Sequence, residues 1–209
     1  MAFRLVVWDF DGTLADSRGV GLAIFNSLAA ELGHRPVTDS EAVRGLTSRE
    51  FMREHRVTFW RLPRLVRRFQ AAAAARAEEV AIFPGISEVL LGLQSRGARL
   101  GVLSSNREDT IRRCLRAANM EGPFGFVISC PRLFGKGRAL RRILRAEGVD
   151  SAEAVYVGDE VRDIEAARSV GVTAVAATWG FQSEGILRAS NPDHIITEPR
   201  QLLDLISKC

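Results

Sequence analysis

Residues 3–14 read Phe3-Arg4-Leu5-Val6-Val7-Trp8-Asp9-Phe10-Asp11-Gly12-Thr13-Leu14, a short apolar run that stops abruptly at two acids and a glycine. Phe3 to Trp8 is rich in β-formers and shows no polar alternation, which predicts a strand buried on both faces. Gly12 permits the tight turn that holds Asp9 and Asp11 at one locus.

After Ser17 the apolar spacing changes to three and four. Leu22, Phe25, Leu28, Ala29 and Leu32 form one helix face, and Gly33 closes it. Further helices are expected over 39–43, 49–55 and 62–80, punctuated by Pro36 and Pro63. The alanines at 71–75 read as helix interior, because alanine has the best helix propensity. No strand is expected in this stretch. From Pro84-Gly85 onward the rhythm is regular: helix 86–95, strand 99–103, helix 107–118, strand 126–129, helix 138–146, strand 154–157, helix 161–170, strand 173–177, then a short strand 194–197 and a helix 202–206. Such alternation implies an α/β fold with a parallel sheet. The expected architecture is a Rossmann-like three-layer core made of residues 1–15 and 84–209, interrupted by an inserted all-helical cap domain at 16–83.

The net charge of +4 comes from arginine, since Lys136 and Lys208 are the only lysines. The arginines are dispersed over several helices without interleaved aromatics, which argues against nucleic acid and for a solvated surface, with attraction of a small anionic substrate as the alternative. The first apolar run is broken by Asp9 and Asp11, so neither a signal peptide nor a membrane span is expected. Cys114, Cys130 and Cys209 are too few and too far apart for a disulfide framework or a zinc knuckle, which suits a reducing cytoplasm. Nothing in the sequence sets an oligomeric state.

Polar residues gather where strands are expected to end: Asp9 and Asp11, then Ser104 and Ser105, then Asp159, Glu160 and Asp163. In an open parallel sheet these ends share one edge, where ligands bind. Asp9, Asp11, Asp159 and Asp163 brought together repel one another and stay ionised only beside a cation. Oxygen ligands of high charge density select a hard ion, magnesium first, which would also let a phosphate dianion approach. Lys136 adds positive charge. Ser104 offers a hydroxyl, and the backbone N–H groups of Ser105 and Asn106 lead into a helix N-terminus, a natural anion site.

Asp9-Phe10-Asp11-Gly12-Thr13-Leu14, Ser104, Lys136 and Gly158-Asp159 with Asp163 resemble, in that order, the four motifs of the haloacid dehalogenase superfamily. Phe83-Pro84-Gly85 and Trp179-Gly180 extend the likeness over nearly the whole chain, toward the phosphoglycolate-phosphatase branch with a helical cap. The resemblance implies Asp9 as a nucleophile on phosphorus and Asp11 as the acid and base. It implies magnesium held by Asp9, the backbone carbonyl of Asp11 and Asp159, with Asp163 acting directly or through water, and Ser104 and Lys136 on the phosphoryl group. Gly137 follows Lys136 where the family often has proline, which leaves the helix start open.

Sister chemistries are weighed by residues that are missing. Dehalogenases lack the second acid, present here as Asp11; phosphonatases need a cap lysine, and none lies between Asp16 and Phe83. Hexose-phosphate mutases carry an early cap histidine, where this chain has Gly21. Gly135-Lys136-Gly137 lacks the Ser or Thr and the upstream glycine of a phosphate-binding loop. Receiver domains are shorter and uncapped. What remains is hydrolysis of a small phosphorylated metabolite, or a catalytically silent binding protein on the same fold. Glu160 reads as an exposed first-turn residue, and Trp60 and Trp179 as packing residues. Arg44, Arg49, Arg53 and Arg56 are either a solvated helix face or partners for a substrate carboxylate.

Overall fold

The computed structural model describes residues 3–131 and 135–207; Lys208 and Cys209 lie outside them. Strand β1 (Leu5–Trp8) sits at the centre of a parallel sheet with β4 (Arg99–Ser104), β5 (Phe126–Ser129), β6 (Ala154–Gly158), β7 (Thr173–Ala177) and β8 (His194–Ile196). The spatial order is β5-β4-β1-β6-β7-β8, so the chain reverses direction across the sheet on either side of β1. Leu5 and Trp8 pair with Arg99 and Val102 on one side and with Ala154 and Val157 on the other.

The period-two geometry of the strands divides their side chains between two cores. Val6, Trp8, Val155 and Val157 face one cluster, walled by Leu90 of α4 (Ile86–Ser95), Ile111 of α5 (Glu108–Ala117) and Leu202 of α9 (Gln201–Ser207). Leu5, Val7, Ala154 and Tyr156 face the other, with Leu140 of α6 (Lys136–Glu147), Ile164 of α7 (Val161–Arg168) and Leu187 of α8 (Glu184–Ala189). This is the expected three-layer α/β sandwich. Each large aliphatic side chain so enclosed contributes about 1.5–3 kcal/mol, which is why β1 tolerates no polar residue before Asp9.

Helices α1 (Arg18–Leu32), α2 (Ser48–Glu54) and α3 (Leu62–Ala75) follow β1 and pack around a third cluster built on Phe25, Leu28, Ala29 and Leu65. Thr47 and Glu50 form a reciprocal capping box at the start of α2. The stretch is not strand-free as expected: β2 (Ala15–Asp16) pairs antiparallel with β3 (Ala81–Ile82), joining the points where the chain leaves and re-enters the sheet region. Two residues are too few to show a period. A 3₁₀ turn at Ala42–Gly45 replaces the helix expected over 39–43, and α3 ends earlier, passing into a 3₁₀ turn at Ala77–Glu79. Trp60 is 88% exposed, not packed, because the short 59–61 segment lies outside the cluster beneath it. Trp179 does pack, against Phe83, and its ring N–H donates to the Thr13 carbonyl. No helix among the described residues is long and apolar enough to cross a membrane.

Candidate active site

The carboxyl edge of the sheet gathers the acids. β1 ends at Trp8 and delivers Asp9, only 1% exposed, with its carboxylate accepting from the Phe10 N–H at 2.8 Å. The N–H groups of Leu14 and Ala15 then converge on the Phe10 carbonyl, closing the acidic turn. β6 ends at Gly158, so Asp159 follows at the same edge, and the first turn of α7 brings Asp163 back over it. Oxygens of Asp9, Asp159 and Asp163 lie within 4.8 Å of one another, all buried.

Lys136 bridges this triad, with Nζ 2.8 Å from Asp9 Oδ2 and 2.5 Å from Asp163 Oδ1. It is the first residue of α6, which therefore starts earlier than expected. At Gly137 a Cβ would stand 2.5 Å from Ser169 Oγ, so a larger residue than glycine would require the Ser169 side chain or α6 to shift. The Tyr156 hydroxyl lies 3.1 Å from the Leu103 carbonyl and 3.4 Å from Asp163 Oδ1, supporting the triad from below. Asp159 is clamped by the Thr13 hydroxyl at 2.6 Å and the Phe181 N–H at 2.7 Å. Gly12, at φ 79°, presses its α-carbon against that carboxylate from one side; a Cβ there would collide with Asp159 and Phe181.

Burial dominates the electrostatics. It pushes the Asp9 carboxyl up to about 7, although Lys136 pulls the other way. Burial also raises Asp159 well above its ordinary range, with Asp9 and Glu160 adding to the effect. The Lys136 ammonium would be lowered by burial alone, but Asp163 and Asp9 outweigh it and hold the lysine charged. With all three carboxylates ionised, the one ammonium would leave excess negative charge, which burial resists by favouring the protonated acids and a bound cation would offset. The all-oxygen donor set suits a hard divalent cation.

Asp11 stands apart from the triad. Its carboxylate accepts from Asn106 Nδ2 at 3.0 Å, and burial raises its pKa. Ser104 is buried at the end of β4, with Ser105 and Asn106 next to it, so these expected phosphate-binding residues do lie beside Asp11. One expectation changes: the Asn106 N–H is directed at Ser104 Oγ, 3.1 Å away, because the loop folds back before α5 begins.

Glu160 is not the exposed residue expected. As the N-cap of α7 it points toward the α1–α3 helices, pairing with Arg162 Nη2 at 2.5 Å and accepting from Ser48 Oγ at 3.3 Å. Arg44 does not face the acids: Nη2 donates to the Thr178 carbonyl at 2.8 Å, and its own carbonyl accepts from Ser183 N–H. Gln182, 4% exposed, receives the Val161 N–H at 2.6 Å and donates to the Leu46 carbonyl at 2.9 Å. Loop 178–183 thus touches Asp159 through Phe181 and the inserted segment through Thr178, Gln182 and Ser183 on either side. Sequence reasoning missed Tyr156, Arg162 and Gln182. Only Tyr156 carried a signal, as the sole tyrosine, placed two residues before the Gly158-Asp159 motif.

Acids at the carboxyl edge of a doubly wound parallel sheet, one lysine among them and a helical insertion after the first strand define a hydrolase of one superfamily. A family model described as haloacid dehalogenase-like hydrolase matches residues 6–177, and the chain belongs to that family. Similar curated proteins are named phosphoglycolate phosphatase. One from Synechococcus elongatus is 36% identical over 207 residues, covering 98% of each chain. Another, from Pseudomonas savastanoi, is 27% identical over 96% of this chain and 78% of its own. Among solved structures, a haloacid dehalogenase-like family hydrolase from Streptococcus pneumoniae superposes with a TM-score of 0.80 at 22% identity, covering 97% of this chain and 98% of its own. Within its family, this protein is a phosphatase.

Proposed function

We propose that the protein is a cytoplasmic, magnesium-dependent phosphomonoesterase for a small phosphorylated acid, phosphoglycolate first, working through a phosphorylated Asp9. The observation that carries this reading is the Asp9–Lys136 contact inside a buried carboxylate triad, with a protonatable Asp11 two residues further along lining a cavity of about 220 Å³. The near full-length likeness to a phosphoglycolate phosphatase supports the choice of substrate.

In the proposed cycle the Asp9 carboxylate forms a bond to phosphorus as the ester oxygen leaves, and Asp11 gives that oxygen its proton. The raised pKa of Asp11 favours the protonated form this step needs. Asp11 then takes a proton from the water that cleaves the acyl phosphate, restoring Asp9. Lys136 holds Asp9 in place and, with Ser104, binds phosphoryl oxygens; the backbone N–H groups of Ser105 and Asn106 lie at the same end of the site. Asp9, Asp159, Asp163 and the Asp11 carbonyl would hold magnesium, which when bound supplies charge that keeps Asp9 ionised and offsets the charge of the phosphate. Residues 16–83 act as a cap that excludes bulk water.

The test is magnesium-dependent release of phosphate from phosphoglycolate and p-nitrophenyl phosphate. Unchanged rates after thorough chelation overturn the metal requirement, and no turnover of any phosphate ester in a broad panel favours a silent binding protein. A second prediction needs no turnover. Because the folded Asp9 carboxyl has its pKa raised from 3.8 to about 7, the folded state binds more protons than the unfolded chain between those values. Stability of the metal-free protein therefore falls as pH rises through that window. Magnesium requires the ionised form, so its stabilisation grows with pH. At a concentration a hundredfold above its dissociation constant it should raise the melting temperature by about 5–10 °C at pH 8 and by clearly less at pH 5.5. Equal shifts at both pH values would contradict the assignment of buried acids as ligands.

A further inference from the structure

Arg162 has no role in the scheme above, yet it stands at the mouth of the site. It is the second residue of α7, between the metal-binding candidates Asp159 and Asp163. Its side chain is 20% exposed, and Nη2 lies 2.5 Å from Glu160 Oε1 and 3.5 Å from Ser105 Oγ. Nε is buried and has no hydrogen-bond partner among the described residues. A buried guanidinium donor left unpaired is costly, and an arginine carries five donors in a planar fork suited to a carboxylate. One edge of this fork is fixed by Glu160, which is itself held by Ser48 of α2.

The lining of the cavity over Asp11 includes Asp11, Ser105, Asn106, Phe181 and the Glu160–Arg162 pair. A phosphoryl group between Asp9, Asp11 and Ser105 therefore has Arg162 on the wall that the rest of the ester must meet. Beyond Arg162 and Phe181 lies a second cavity, mostly apolar and about 330 Å³, lined by Phe25, Phe51 and Leu65 of the helical insertion. Arg162 is the cation that separates the acid site from this apolar space. Arg44, an alternative on the cap side, has its guanidinium directed at the Thr178 carbonyl and Glu41.

We infer that Arg162 is a specificity-determining residue that binds the second anionic group, the carboxylate, of a small phosphorylated acid. This rests on the phosphomonoesterase reading of the same site. Its consequence is that selection for a charged leaving group is made by the core helix that also carries Asp163, with the cap contributing Ser48 only through Glu160.

The experiment compares phosphoglycolate with ethyl phosphate, which is similar in size and lacks the carboxylate, for the wild type, Arg162→Gln and Arg162→Lys. The ratio of kcat/KM for phosphoglycolate to that for ethyl phosphate should fall about 10–100-fold in Arg162→Gln, the size of a lost charged hydrogen bond, with the change carried by KM. Arg162→Lys keeps a cation against Glu160 and should recover part of the ratio. If both substrates lose equally, Arg162 is only a structural tie to Glu160 and the inference is overturned. A wild-type preference for phosphoglycolate that survives Arg162→Gln overturns it alone. A wild type that prefers ethyl phosphate overturns the substrate reading as well.

Discussion

Asp9→Asn should lower kcat by at least about a thousandfold, the scale seen when a covalent nucleophile is removed, while leaving the fold intact. Asparagine matches aspartate in shape, and its carbonyl oxygen can take the place of Oδ2 against Lys136 Nζ, now 2.8 Å away. What it lacks is the negative charge that makes the carboxylate oxygen nucleophilic enough to attack phosphorus. The stability readout should move the opposite way. Burial already disfavours the ionised Asp9, so the metal-free variant should melt at the same temperature as the wild type or higher at pH 8, while Lys136 keeps Asp163 as its partner. Wild-type enzyme quenched in acid during turnover should carry one phosphate on the peptide containing Asp9, detectable by mass spectrometry; the variant should carry none. Activity within tenfold of wild type would remove Asp9 from the nucleophile role.

Strands buried on both faces and placed between clear helix signals were the easiest elements to read. Thr173–Ala177 falls where the alternation puts it, and Gly33 ends α1 with the left-handed conformation that glycine favours. The acids were legible because strand ends of a parallel sheet meet at one edge, so Asp9, Asp159 and Asp163 converge although 154 positions separate the first from the last. Elements stabilised by one or two contacts gave no periodic signal. α8 is six residues long and buries only Leu187, and β2 and β3 hold each other through two residues apiece. Glu160 and Arg162 were misread or missed for a related reason. Their sequence pattern is that of an ordinary first helical turn, and their significance depends on Ser48 and Ser105, brought in from distant segments. Gln182 likewise acts by bridging Val161 and Leu46, a relation no local spacing encodes.

Lys136→Met should affect both stability and rate. The methionine fills similar volume, so the change isolates charge. At pH 8 without metal, Asp9 and Asp163 lose the ammonium that lies within 2.8 Å of each, and breaking a buried pair in this way costs about 3–5 kcal/mol. For a chain of this size that is a fall of about 6–20 °C in melting temperature. The sign with pH follows from Asp9. Lys136 is a force pulling its carboxyl down, so losing the lysine raises a pKa that already stands at about 7. At pH 5 the folded variant holds Asp9 protonated and neutral, and the missing ammonium matters less. The difference in melting temperature between wild type and variant should therefore be smaller at pH 5, where only the Asp163 pair is lost, and widen steadily to pH 8 as the Asp9 pair is lost as well. Magnesium should narrow it again at pH 8 by replacing lost positive charge, but it should not restore turnover. The phosphoryl group still lacks its lysine donor, a loss of about 10²–10³ in kcat. A melting difference that stays constant from pH 5 to pH 8 would make Lys136 a packing residue, and near-normal turnover would place it outside the reaction.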